Sequence, residues 1–274
     1  MTIINPSDKK YPDYHTHNGY YRGSGEEWTA AEGWAMAKQR LISALGITNK
    51  VEYNHPSHDF IPLLSKEIQD LGNPHVLMGI ELDIGHPSGK NVLDPTYLPY
   101  LDFIIAAPHN QPAKTLAWNL LDEEDRAEYF RSLRDILINS FKNAPVDIWA
   151  HPFLQEIDLT ADYYRADLIP IFHEMLSLAG IQGFSFEINE NYFRTKTPPK
   201  ESAHFFNNAE DYYQKKRAFL EELFSLALHD SDVSFTFASD THALAKVGNI
   251  ANCIEFAKEV GIPLTRIRHI EKKG

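Results

Sequence analysis

Apolar segments that end in histidine or a carboxylate recur along almost the whole chain. They read YPDYHTHN (His15, His17), ITNKVEYNHP (His55), VLMGIELDIG (Glu81), DFIIAAPHN (His109), DIWAHPF (His151), FSFEINEN (Glu187) and FTFASDTH (Asp240, His242). Between them lie stretches with helical periodicity, and such alternation predicts parallel strands joined by crossover helices. In a barrel of that kind the strand C-termini meet at one rim, so residues far apart in sequence become neighbours around one pocket. The pattern predicts an irregular α/β barrel with a polynuclear metal site.

The periodicity sets seven strand-helix units. After the first strand, Thr29 and Glu32 match a capping box, and Trp34, Ala37, Leu41 and Ala44 recur at helical spacing before Gly46 closes the segment. Strands are predicted near 47–54, 76–84, 102–107, 146–150, 182–188 and 233–238. Helices follow near 59–71, 94–100 (a short turn), 122–142, within 160–179, near 210–229 and near 249–260. Each strand is a short apolar run, as a strand buried on both faces should be. The segment 189–209 is polar and rich in Pro and Asn, which suits a loop at the active rim.

Composition narrows the function. A chain of 274 residues that is 43% hydrophobic can bury a full core, and one domain spanning 1–274 fits best. The single cysteine, Cys253, excludes an internal disulfide and leaves imidazole and carboxylate as ligands. A formal net charge of −12 repels a polyphosphate backbone, so nucleic acid is not expected as a partner. The N-terminal MTIINPSDKKYPDY has no apolar h-region, and no stretch reaches the roughly 18 apolar residues of a membrane span, so no membrane partner and a cytoplasmic location are expected.

Residues two apart on a strand share a face, so His15 and His17 can aim two nitrogens at one cation. Asp240 and His242 repeat that spacing at the last strand with one oxygen and one nitrogen. Glu81 closes an apolar run, where a lone carboxylate is costly to bury unless it is paired or bound to a cation. His109 and His151 each end a strand after a small residue or proline. Any one of these could be an ordinary hydrogen-bonded side chain; it is the joint placement that points to a metal site.

The ordered set H-T-H, N-H, G-I-E, A-P-H, A-H-P, E-I-N and S-D-T-H resembles the polymerase and histidinol phosphatase (PHP) superfamily over roughly residues 12 to 245. The resemblance implies a distorted (β/α)7 TIM-like barrel that hydrolyses phosphoesters with two or three divalent metal ions (Zn, Mn or Fe). It implies that His15, His17, Glu81 and Asp240 hold one metal, that Glu81, His109 and His151 hold a second with Glu81 bridging, and that His55 and His242 belong to a third. Two departures are visible. Tyr53-Asn54-His55 stands where many members carry T-D-H, and no further His follows His17 in Asn18-Gly19-Tyr20-Tyr21-Arg22-Gly23. Arg22 is therefore a candidate for a basic side chain that replaces one cation.

In histidinol phosphatase-like members E-x-N is followed by an Arg, and here Glu187-Ile188-Asn189 precedes Arg194. Arg194 is the expected phosphate clamp, its planar fork suiting phosphoryl oxygens, with Asn189 and Arg22 as further substrate-binding candidates; an ion pair with Glu187 or a free loop position is the alternative for Arg194. Asp240 and His242 are the catalytic candidates, Asp240 orienting a metal-bridging hydroxide and His242 serving the leaving alkoxide. The expected partner is a small phosphorylated substrate. Amidohydrolase-like C–N hydrolysis and a non-catalytic metal-binding module are the alternatives. Among the remaining histidines, local roles are expected for His75, His173, His229 and His269, while His58, His86 and His204 fall in loops that could face the pocket.

Overall fold

The computed structural model describes residues 11–19, 26–54, 56–109, 123–200 and 202–273. Seven parallel strands form one sheet: β1 (Leu45–Ile47), β2 (Lys50–Val51), β3 (Val76–Asp83), β4 (Phe103–Ala107), β5 (Ile148–Trp149), β6 (Ser185–Asn189) and β7 (Phe235–Ala238). β1 and β2 both pair with β3 and act as one interrupted stave. The remaining order is β3-β4-β5-β6-β7. The extended segment before the first helix joins the two edges. Asp13 bridges Leu45 and Thr16 bridges Thr241, both in parallel sense. This curls the sheet into the irregular barrel that the strand count predicted.

The helices lie where their apolar faces cover the sheet. They are α1 (Ala30–Gln39), α2 (Phe60–Leu71), α3 (Glu123–Asn143), α4 (Leu154–Thr160), α5 (Arg165–Gln182), α6 (Asn191–Arg194), α7 (Ala209–His229) and α8 (Ala251–Val260). The capping box at α1 forms: Glu32 N–H donates to Thr29 Oγ1 at 3.2 Å, and Thr29 N–H donates to Glu32 Oε2 at 2.8 Å. At α8 a carboxylate from beyond β6 does similar work, Glu190 Oε1 accepting from the N–H groups of Asn252 (2.8 Å) and Cys253 (3.2 Å). A negative charge there satisfies orphan donors and complements the helix dipole.

Two expectations about the first unit need correction. α1 ends at Gln39, and Leu41 takes a left-handed φ of 60° that stops the helix before Ala44. Gly46 is therefore no helix terminator. It lies in β1, where a Cβ would fall 2.6 Å from Phe103 Cζ, as it also would at Gly79 in β3. The glycines make room for a phenyl ring that fills the barrel interior beside Leu77, Ile105 and Ile148. The helix expected within 160–179 is α5, which runs on to Gln182, and the short α4 precedes it. The loop 189–209 contains α6 and a 3-10 turn at Ala203–Phe205.

Side-chain alternation then carries chemistry to the rim. Leu77, Gly79, Glu81 and Asp83 share one face of β3, and Phe103, Ile105 and Ala107 share the corresponding face of β4, leading to His109 just beyond it. The lower members pack the interior and the upper members are polar. Among the described residues no helix is long and apolar enough to cross a membrane.

Candidate metal centre

Six of the expected ligands meet at the C-terminal rim. His15 Nε2 and His17 Nε2 lie 3.0 Å apart, the convergence expected of an i, i+2 pair. Asp240 Oδ1 stands 3.6 Å from the first nitrogen and 3.4 Å from the second. Glu81 is the hub. Its Oε1 is 3.0 Å from His109 Nε2, 3.3 Å from His151 Nε2 and 3.5 Å from His15 Nε2, and its Oε2 is 3.6 Å from His17 Nε2. Among the described residues two groups have ligand atoms close enough to hold an ion: His15, His17 and Asp240, and His15, Glu81 and His151.

The donor chemistry fits divalent cations. The His15 and His17 Nε2 atoms meet at 3.0 Å with Glu81 and Asp240 carboxylate oxygens within 3.4–3.6 Å, a buried gathering of lone-pair donors that is costly unless a cation lies among them. Imidazole and carboxylate without thiolate suit zinc, iron or manganese.

The titration of the metal-free cluster shows the same crowding of charge. Burial works against ionising His15, yet Asp240, Glu187 and Glu81 hold its pKa well above the ordinary value. Burial lowers His17 to about 4, although Asp240 and Glu81 oppose it. His109 rises to about 9, where Glu81 and Asp83 outweigh burial. Burial would raise Glu81, but Lys50, His109 and His15 pull it well below the usual carboxylate range.

A second set of carboxylates aims the ligands. Glu187 is buried beneath His15 and takes no ligand position: its Oε2 lies 3.0 Å from His15 Nδ1, and its Oε1 accepts from the His151 backbone N–H at 3.0 Å and from Asn189 Nδ2 at 2.7 Å. Asp83 Oδ1 accepts the His109 N–H at 3.0 Å, while its Oδ2 accepts the Tyr53 N–H at 3.1 Å. Orienting partners of this kind fix the tautomer and direction of a ligating imidazole. Asp240 is held by Asn189 Nδ2 at 3.2 Å and Asn191 Nδ2 at 2.5 Å. Asp240 and His151 have positive φ values of 45° and 32°, a conformation that non-glycine residues keep only where the surroundings enforce it.

The remaining candidates fall in different places. The His242 ring stacks on His17 with centroids 4.3 Å apart, so it borders the cluster but joins neither metal-holding group. Asn189 supports Glu187 and Asp240 from inside the site. Arg194 is exposed at the end of α6; its guanidinium donates to Ser239 O at 2.7 Å and to Asn191 Oδ1, with no bond to Glu187 among the contacts it makes. Arg22 and His55 lie outside the described residues. His75 stacks on Trp34, His58 on Tyr97 and His86 on Tyr53, while His229 Nδ1 contacts Ser225 O.

The sequence reading missed one residue. A single strand over 47–54 was expected to deliver His55, but β2 stops at Val51 and residues 53 and 54 form a bend. His55 lies outside the described residues; from this stave Lys50 reaches the hub, in register with Glu81 and with Nζ 3.2 Å from Glu81 Oε2. Burial lowers the Lys50 pKa, but Glu81 and Asp240 more than offset it and leave it raised. Parity was the available signal, because Gly46, Thr48 and Lys50 are even-numbered neighbours on one stave, and Gly46 faces the interior.

Fold and ligand clusters together define a parallel α/β barrel with candidate metal-holding groups at the strand C-termini. Solved structures with this fold include histidinol phosphate phosphatase from Lactococcus lactis subsp. lactis, complexed with Zn, L-histidinol and phosphate, with a TM-score of 0.61 and 16% identity over 96% of this chain and 97% of that one. A protein assigned as histidinol phosphatase from Listeria monocytogenes is similar with a TM-score of 0.56 and 13% identity, over 86% of this chain and 97% of its own. No family model and no curated protein matches the sequence. The likeness is one of fold, and the fold is the one the PHP resemblance implied.

Proposed function

We propose that the protein is a metal-dependent phosphoesterase that acts on a small phosphate monoester. The observation that carries this reading is the position of Glu81 between two histidine sets, His15 and His17 on one side and His109 and His151 on the other. His15, His17, Glu81 and Asp240 would hold one ion, and Glu81, His109 and His151 a second. Paired divalent ions supply a nucleophile from water at neutral pH and neutralise charge on a phosphoryl group during in-line displacement.

The chain's own residues do the rest. Glu187 keeps the proton of His15 on Nδ1, which leaves Nε2 free to face the ion. Asn189 and Asn191 fix Asp240 so that Oδ1 points at the histidines. His242, its pKa lowered by burial, sits beside the cluster with its ring stacked on His17, where it can take a proton from the attacking water and pass it to a departing alkoxide. Arg194 has donors beyond those used on Ser239 and Asn191, since a guanidinium carries five N–H groups, and these are offered to the phosphate. The histidinol phosphate phosphatase of Lactococcus makes an imidazole-bearing phosphomonoester the first substrate to try.

The test pairs metal content with turnover. Protein purified after chelation and reloaded with Zn or Mn should bind at least two equivalents and release phosphate from one member of a panel of monoesters. Glu81→Gln should lose metal and activity together. Full metal loading with no phosphate release across the panel, or ring-opening hydrolysis of cyclic amides instead, would refute the reading.

A further inference from the structure

One positive charge of the site belongs to the chain itself. Lys50 projects from β2 with its side chain 19% exposed, and its Nζ lies 3.2 Å from Glu81 Oε2. Asp240 and Asp83 also act on its charge, and Lys50 in turn acts on His242. An ammonium in such a place loses most of its hydration, and one carboxylate shared with four imidazole nitrogens is a poor replacement for that water. Four carboxylates surround the centre: Glu81, Asp83, Glu187 and Asp240. Two divalent ions would balance them, leaving the Lys50 charge unmatched until an anion enters.

Among the described residues the neighbours of Lys50 add no further group of metal-grade ligands. Asn49 and Asn18 bind each other, Asn49 Oδ1 accepting the Asn18 N–H at 2.9 Å and Asn49 Nδ2 donating to Asn18 Oδ1 at 2.6 Å. His242 is covered by the His17 ring and joins no cluster among the described residues.

We propose that Lys50 is a substrate-contacting residue, whose ammonium takes the place of a third metal ion and binds an oxygen of the phosphoryl group held by the two-metal centre. The proposal rests on the phosphoesterase reading. It predicts a centre that saturates at two divalent ions and an anion affinity that depends on residue 50. A charge-assisted hydrogen bond of this sort corresponds to roughly a ten- to hundredfold effect on binding.

The experiment compares the wild type, Lys50→Met and Lys50→Arg. Bound metal is counted by elemental analysis, and inorganic phosphate binding to the metal-loaded proteins is measured by calorimetry. All three should hold two equivalents. Lys50→Met should bind phosphate roughly ten- to a hundredfold more weakly, and Lys50→Arg should recover most of the loss. Equal phosphate affinity in wild type and Lys50→Met would overturn the proposal. So would a third equivalent in the wild type, or metal loss from Lys50→Met, which would make Lys50 a mere support for Glu81. A wild type that holds two metals but neither binds phosphate nor cleaves any monoester would overturn the phosphoesterase reading as well.

Discussion

Replacing Glu187 by Gln should cost metal affinity although Glu187 is no ligand. The substitution keeps shape and volume, so the consequences follow from hydrogens. Oε1 must remain an oxygen, because it accepts from the His151 N–H at 3.0 Å and from Asn189 Nδ2 at 2.7 Å, and an amide NH2 there would face two donors. The new NH2 is thus forced to the Oε2 position, 3.0 Å from His15 Nδ1. It can only donate, so His15 Nδ1 must accept and the ring proton moves to Nε2. That nitrogen stands 3.0 Å from His17 Nε2, at the point where the two imidazoles converge on an ion. A protonated nitrogen cannot ligate, and each metal-binding event must first reverse the tautomer and leave a donor facing a donor. Loss of an orienting partner costs roughly ten- to a hundredfold in metal affinity, or about 1.4–2.8 kcal/mol. Competition with a fluorescent chelator measures it directly, and far-UV circular dichroism confirms the fold. Affinity within twofold of the wild type would refute the assignment of Glu187 as the group that sets the His15 tautomer.

Arg194→Ala should keep its metals while kcat/KM for a phosphomonoester falls by about one to two powers of ten; loss of metal, or unchanged turnover, would make the residue a tie between α6 and Ser239 alone. Metal binding should also be coupled to protons. His15 lies well above its ordinary value and His109 near 9 in the metal-free protein, whereas His17 lies near 4, so loading at pH 7.5 should release about two protons. Calorimetry in buffers of different ionisation enthalpy counts them, and a count near zero would refute it. The same shift fixes the pH dependence of the metal-free fold. An imidazole raised in the folded state stabilises it fully below the unfolded value of about 6.5 and ceases to do so as pH passes 9. The melting temperature of the metal-free protein should therefore fall between pH 6.5 and 9, and a rise over that window would contradict the charge pattern at His109.

What the sequence determined by itself was periodic. Short continuous apolar runs and helical faces with period 3.6 are local features, and they marked β3, β4, α2, α7 and α8 to within one or two residues. The Thr29–Glu32 box was visible because both its bonds lie within one turn. His15, His17, Glu81, His109, His151 and Asp240 were readable as a group because strand ends in a parallel barrel share one rim whatever the details of packing. Tertiary structure decided the rest. Gly46 looks like a helix terminator until the Phe103 ring, 57 residues away, is seen to need its space. Lys50 reaches the rim beside Glu81 because β2 pairs with β3 in that register, a pairing set across the sheet and not by any local pattern. Glu187 carries the same carboxylate as Glu81 and also follows an apolar run; one meets His15 at Nε2 among the candidate ligands and the other at Nδ1 behind the ring, a difference that only the packing decides. Distances across the barrel are a property of closure, and closure depends on long-range contacts such as Thr16 with Thr241 that no local pattern encodes.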